Sequence, residues 1–162
     1  MIRVHTFTFN PFEENTYVLY DETREAVIID PGCFEKEEQD ELVEFIAAKK
    51  LKVKILLNTH CHIDHVLGNY FVKEKYKVPF LIHTTEGPVL RAVKSYASNY
   101  GFPGYTEALP DGELKEGTKD KIMIHFRGIM CGYMLKLNEE KEKLNQEKDR
   151  YIELLTKYKE GY

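Results

Sequence analysis

The sequence predicts an α/β fold, and three observations carry that reading. Segments with strand-like alternation give way to segments of helical period and then return. The short apolar runs end in Pro-Gly or in polar clusters, as strands do. A dense group of histidines follows directly on one such run, at the kind of strand end where α/β folds keep their chemistry.

Residues 2–9 alternate in the β manner, and after Asn10-Pro11 a second run, residues 15–20, is rich in strand formers. The polar stretch 21–24 separates it from a third run, 25–30, so the three predict an antiparallel meander that ends at Pro31-Gly32. From Phe34 the period changes. Leu42, Phe45, Ile46 and Lys49 share one side of a helix expected to lie against the sheet; Glu37 and Glu38 stand near its start and Lys49 and Lys50 near its end, as the macrodipole prefers.

Residues 53–57 read as a buried strand that runs straight into Asn58-Thr59-His60-Cys61-His62-Ile63-Asp64-His65. A short helix over 66–76 and a strand over 79–83 follow. Val89, Ala92, Val93, Ala97 and Tyr100 then repeat at helical spacing, with Pro88 in the first turn and Gly101 just past the end. Residues 102–119, punctuated by Pro103, Gly104, Pro110, Gly112 and Gly117, read as loop. Two apolar runs, 121–126 and 132–137, form a candidate strand pair around Gly128. Residues 138–162, rich in Glu, Lys, Leu and Tyr, read as a long charged helix. The expected division is therefore a domain over 1–137 followed by that helix over 138–162.

With 162 residues the chain has the length of one ordinary domain and can bury a core. It carries 23 Lys and Arg against 27 Asp and Glu, a formal charge of −4 with no basic stripe, so nucleic acid is not an expected partner. No apolar run approaches the roughly 18–20 residues of a membrane helix. The start has no charged flank, apolar block and cleavage site, so a cytoplasmic location is expected. Three cysteines, Cys33, Cys61 and Cys131, lack C-x-x-C spacing and indicate neither a disulfide framework nor a Cys-rich zinc site. Cys61 is expected to pack inward, and His83 to be structural.

Four potential metal ligands, His60, His62, Asp64 and His65, fall within six residues. Imidazoles at i and i+2 reach one cation when the backbone is extended or turning, and Asp64 and His65 then face a neighbouring position. Zinc takes His nitrogen and carboxylate oxygen and leaves a position open for water. Metal-assisted hydrolysis is the chemistry such a group supports.

Residues 59–65 match the T-H-x-H-x-D-H signature of the metallo-β-lactamase superfamily. Residues 10–19 and 27–32 resemble the N-terminal strands of its glyoxalase II-like branch, the hydroxyacylglutathione hydrolases. The resemblance runs from residue 1 to about 121. It implies an αββα sandwich with one or two zinc ions at one edge of the sheets and a small thioester or ester as substrate. It also implies that His60 and His62 bind the first metal and that Asp64 and His65 bind the second. Asp64 would hold the attacking water, and Asp30 and Thr59 would brace the ligand loop.

The same resemblance implies a second motif, H-x-x-G-H-x-x-G, whose second His is a ligand. Its counterpart is residues 125–132, where His125 and the glycines are kept but Ile129 occupies the ligand position. A later Gly-Asp pair and a final His are also missing, so the sequence reads as an incomplete sandwich, truncated after its first half. The alternative to a weak hydrolase is a non-catalytic remnant that binds or self-associates through its C-terminal helix. The sevenfold spacing of Leu137, Leu144, Tyr151 and Tyr158 hints at a homo-oligomer, although polar residues between them favour docking on the parent domain.

Overall fold

Strand β1 (Arg3–Phe9) turns back into β2 (Glu14–Tyr20), which pairs antiparallel with β3 (Glu25–Ile29), so the predicted meander is present. The computed structural model describes residues 2–114, which all lie in Met1–Lys121, the first of two units into which the chain divides. The turn between β1 and β2 is closed by the Glu13 N–H donating to the Asn10 carbonyl at 3.0 Å. Beyond β3 the chain crosses through helix α1 (Lys36–Ala48) to β4 (Lys52–Leu57). It then crosses through α2 (Ile63–Val66) and α3 (Asn69–Tyr76) to β5 (Phe80–His83), and through α4 (Gly87–Tyr96) to a short β6 (Gly112–Leu114). The crossovers make β3–β4, β4–β5 and β5–β6 parallel, and the six strands lie in chain order. The C-terminal ends of β3 and β4 therefore open on one edge, and that edge carries the histidine loop.

Helix α1 starts where the sequence supplies a cap. The Glu38 carboxylate accepts the backbone N–H groups of Phe34 and Glu35, two donors that the first turn leaves without partners. Leu42 and Ile46, one turn apart, are its buried residues; each contributes roughly 1.5–3 kcal/mol by leaving water. Lys49, placed on the same face by the sequence pattern, instead caps the helix in solvent with its ammonium 6.0 Å above the Phe45 ring.

The helix predicted over 66–76 is two helices, and the first begins earlier, at Ile63. The break falls at Leu67-Gly68, where the Gly68 N–H donates to the Pro31 carbonyl at 2.7 Å. A Cβ at position 68 would meet Cys33 Sγ at 2.6 Å and the Pro31 carbonyl oxygen at 2.8 Å, so only glycine lets these segments approach. A second difference is β6, which forms inside the stretch that reads as loop. Asp111 holds it in place: its carboxylate accepts the Phe80 N–H at 2.8 Å and pairs with the Lys73 ammonium at 2.9 Å.

Phe7, Phe9, Val18, Ile28, Leu56, Phe80 and Ile82 on one sheet face join Leu42, Ile46, Val72, Leu90 and Val93 of the helices in a single core. His5 extends it, with its ring stacked on Phe45 at 4.0 Å. Leu19, Val27, Ile29, Ile55 and Leu57 alternate with the sheet members of that core and are buried as well. The sheet is thus apolar on both faces, within the mixed α/β fold that the sequence reading expected. The predicted strand pair within 121–137, the second motif at 125–132 and the helix over 138–162 lie outside the described residues. No described helix is long and apolar enough to cross a membrane.

Candidate metal centre

Asp30 follows the last residue of β3 with φ at +49°, a left-handed conformation that Asp tolerates better than most residues. The turn aims its carboxylate at the loop leaving β4. Oδ1 accepts the Thr59 N–H at 2.7 Å and an Asn58 Nδ2 hydrogen at 3.1 Å, while Oδ2 accepts the Thr59 hydroxyl at 2.5 Å. Asn58 also donates to the His65 carbonyl at 2.8 Å, tying the loop to α2.

Proton counting now fixes one imidazole. The single Thr59 hydroxyl proton is committed to the Asp30 carboxylate, the stronger, charged acceptor. The 3.0 Å contact between Thr59 Oγ1 and His60 Nδ1 must therefore run from His60 Nδ1–H to the hydroxyl. His60 Nε2 is left with a free lone pair. Burial and the neighbouring His65 and His62 charges lower the His60 pKa, which keeps this ring neutral near pH 7, as a metal ligand must be.

The His65 ring lies 4.0 Å from that of His60, and the His62 ring, at the start of α2, lies 4.7 Å from it. The three imidazoles that the sequence singled out therefore meet. Asp64 joins them, with Oδ2 3.3 Å from His65 Nε2. Among the described residues, the group whose ligand atoms all lie within 4.8 Å of one another is Asp30, His60 and His65; His62 and Asp64, also expected as ligands, fall outside it. Three donors already occupy the Asp30 oxygens, so its chemistry is that of the brace which the resemblance implied.

Two polar residues missed by the sequence reading complete the site. Asn10, in the β1–β2 turn, donates through Nδ2 to the carbonyls of Gly32 and Asp64 at 3.1 and 3.0 Å. Glu14 opens β2 and is only 4 % exposed. A Cβ on Gly32 would fall 2.6 Å from Asn10 Nδ2 and closer still to the Glu14 carboxyl, so glycine makes room for both. The signal for Glu14 was its place two and four residues before Thr16 and Val18, on the inward side of a strand where an apolar residue belongs.

Burial pushes the Glu14 carboxyl up from its ordinary 4.5 to about 8, with the charges of Asp30 and Asp64 adding to the effect. The Thr16 hydrogen bond and the His65 charge oppose the shift without reversing it. Thr16 Oγ1 accepts the Gly32 N–H at 2.9 Å and lies 2.8 Å from the Asp30 carbonyl and 2.9 Å from Glu14 Oε2. Its one proton is shared between the Asp30 carbonyl and Glu14 Oε2.

A folded-state pKa raised above the unfolded one means the native state binds more protons, so stability is present at low pH and is lost as pH rises from about 4.5 through about 8. His65 acts in the same direction: burial opposes its charged form, but the adjacent Asp30, Asp64 and Glu14 carboxyl groups win and raise its pKa. Thermal melts of the metal-free protein should therefore drop between pH 5.5 and 8. Glu14→Gln, which cannot ionise, should show a clearly smaller drop, and an equal drop in both proteins would mean that Glu14 is not the group responsible.

Cys61 is buried between the two histidines; burial, then the Glu86 and Asp30 charges, push its thiol up to about 12. It packs inward as expected, while its N–H donates to Glu86 at 2.9 Å. His83 Nδ1 lies 2.8 Å from the Thr85 hydroxyl, a local structural contact.

The fold and site together define a mixed α/β protein with an imidazole-carboxylate centre at the C-terminal edge of its sheet. Residues 9–130 match the model of the metallo-β-lactamase superfamily, and the chain belongs to that superfamily. Hydroxyacylglutathione hydrolase GloC of Haemophilus influenzae is 31% identical over 139 residues, covering 81% of this chain and 64% of that protein. A hydroxyacylglutathione hydrolase of Pelagibacter ubique is 28% identical over 106 residues, covering 65% of this chain and 34% of that one. Among solved structures, BLEG-1 B3 metallo-β-lactamase superposes with a TM-score of 0.59 at 30% identity over 70% of this chain and 53% of its own. TTHA1623 in a di-iron-bound form gives 0.59 at 27% identity over 70% and 55%. The chain thus spans from a third to just under two-thirds of the length of these two curated relatives.

Proposed function

We propose that this chain carries the metal-binding half of a hydrolase for small thioesters or esters, with His60, His62, Asp64 and His65 as the ligands it supplies. The observation that carries the reading is the convergence of three imidazoles and Asp64, with the lone pair of His60 freed by the Thr59–Asp30 chain. A bound divalent ion supplies Lewis acidity and makes a water at the site acidic near neutral pH. Zinc and iron both suit imidazole and carboxylate donors. One similar structure is described as di-iron-bound, so the test includes both metals.

His60 and His62 would hold the first metal, and Asp64 and His65 the second. Asp64 Oδ2 accepts the proton of the attacking water, whose oxygen bonds to the acyl carbon while the thiolate or alkoxide leaves with a proton. His62 is exposed and His60, Asp64 and His65 are half-buried, so a small substrate reaches them from solvent. Thioester is the preferred class because the name hydroxyacylglutathione hydrolase, borne by several relatives, describes cleavage of a glutathione thioester. The test is hydrolysis of a thioester by metal-free protein before and after addition of Zn(II) or Fe(II). Turnover is expected only with metal and is expected to end on chelation; turnover indifferent to chelator rejects the mechanism.

A further inference from the structure

We propose that Glu14 is a positioning residue for His65: its buried Oε1 shares the His65 Nδ1–H with Asp30, commits that nitrogen to carrying the proton, and leaves Nε2 as the lone pair facing Asp64. Two orphaned atoms motivate this. Glu14 Oε1 and His65 Nδ1 are both buried and both lack a hydrogen-bond partner, and they stand 3.6 Å apart. Buried polar atoms are nearly always paired, so two orphans facing each other require an explanation. The other acceptor near Nδ1 is Asp30 Oδ2 at 3.4 Å, which already takes the Thr59 hydroxyl. Contacts of this kind are often long before a site is loaded and tighten when it is.

The remaining Glu14 contacts explain why a carboxyl group stands where strand alternation calls for a hydrophobe. Oε2 is held by Thr16, which also carries the Gly32 N–H and the Asp30 carbonyl. With Oε2 taken up by Thr16, Oε1 is the oxygen turned toward His65, and it serves as an acceptor. His65 Nδ1 is the nitrogen within its reach, so Nδ1 bears the hydrogen. Nε2 then meets Asp64 Oδ2 at 3.3 Å as a lone pair rather than as a donor. A glutamine reproduces this pattern, with its carbonyl at Oε1 and its amide donating to Thr16. A leucine of similar bulk removes it. The role deepens the metal reading of His65, but the tautomer itself does not depend on metal.

The test records long-range 1H–15N correlations of the histidine rings in metal-free wild type, Glu14→Gln and Glu14→Leu, at a pH where His65 is neutral. Chelator-competition affinities for Zn(II) accompany them. His65 is expected to carry its hydrogen on Nδ1 in the wild type and in Glu14→Gln. In Glu14→Leu it should shift toward the Nε2–H form, with zinc affinity weakened about 10- to 100-fold, against less than about threefold in Glu14→Gln. Should Glu14→Leu fail to fold, Glu14→Asp asks the same question by withdrawing the carboxyl group one methylene. An Nε2–H tautomer in the wild type overturns the proposal, as does an unchanged Nδ1–H tautomer in a folded Leu or Asp variant. A wild type that holds the Nδ1–H form yet binds no zinc supports the positioning role and counts against the proposed function instead.

Discussion

Asp30→Ala is expected to lower the unfolding free energy by about 3–5 kcal/mol, because removing a buried charged partner strands the groups arranged around it. Three donors lose their acceptor at once: the Thr59 N–H, the Thr59 hydroxyl and one Asn58 hydrogen. The Thr59 N–H is left without a replacement among these contacts, while the hydroxyl keeps only His60 Nδ1, and hydrogen bonds to a charged group contribute about 1.5–3 kcal/mol each. The backbone adds to the loss, since φ is +49° at this position and alanine in the left-handed region costs roughly 1–2 kcal/mol. Asp30→Gly removes the side chain without that strain and should be the less destabilised of the two.

Asp30→Asn separates folding from chemistry. It keeps one carbonyl oxygen for Thr59 N–H and Asn58, and its amide donates to the Thr59 hydroxyl. That hydroxyl must then give its proton to His60 Nδ1, which moves the His60 hydrogen to Nε2 and blocks the nitrogen that faces the site. Urea denaturation should place Asn near wild type and Ala far below it, while zinc affinity falls in both. An Asp30→Ala protein with a wild-type midpoint would show that the Asp30 contacts contribute little.

The elements legible in the sequence are those whose pattern is local. The meander, α1, β4 and α4 each carry their own period, and His60, His62, Asp64 and His65 declare themselves by spacing alone. What was not legible depends on residues distant in sequence. Glu14 matters because β2 pairs with β3 in a register that sets Tyr17 against Ile29, bringing Thr16 beside Asp30. Nothing near residue 14 announces that pairing. Helix α2 began earlier than read because His62 caps it without a side-chain hydrogen bond, so the usual Ser, Thr or Asp signal is absent. Strand β6 is three residues anchored through the adjacent Asp111 to Phe80 and Lys73, distant in sequence, with no alternation long enough to see. The brace at Asp30 came from resemblance alone; its geometry explains why an acid is needed there, since only an acceptor of several hydrogen bonds fixes both the loop and the His60 tautomer.

If the proposed hydrolysis is correct, His60→Ala, His62→Ala and Asp64→Asn will fail in different ways. Each histidine variant removes a ligand. Losing a residue that merely supports a ligand weakens metal binding about 10- to 100-fold, so losing the ligand itself should exceed that, and turnover should fall with metal content. Excess metal should restore part of the rate. Asp64→Asn keeps a ligand oxygen of similar shape but cannot take a proton. General-base catalysis contributes about 100- to 10,000-fold, so kcat should drop within that range while KM changes little and added metal does not help. Metal content by atomic emission and steady-state kinetics on one thioester distinguish the patterns, and turnover that survives both histidine substitutions rejects the metal mechanism. Cys61→Ala is the control that the sequence alone could not define. Its thiol is buried and pushed up to about 12, so it offers no thiolate near neutral pH. Metal affinity should therefore stay at the wild-type value while stability falls modestly from the lost packing. A large loss of affinity in that variant would instead make sulfur a ligand and would require the loop between His60 and His62 to turn Cys61 outward when metal binds.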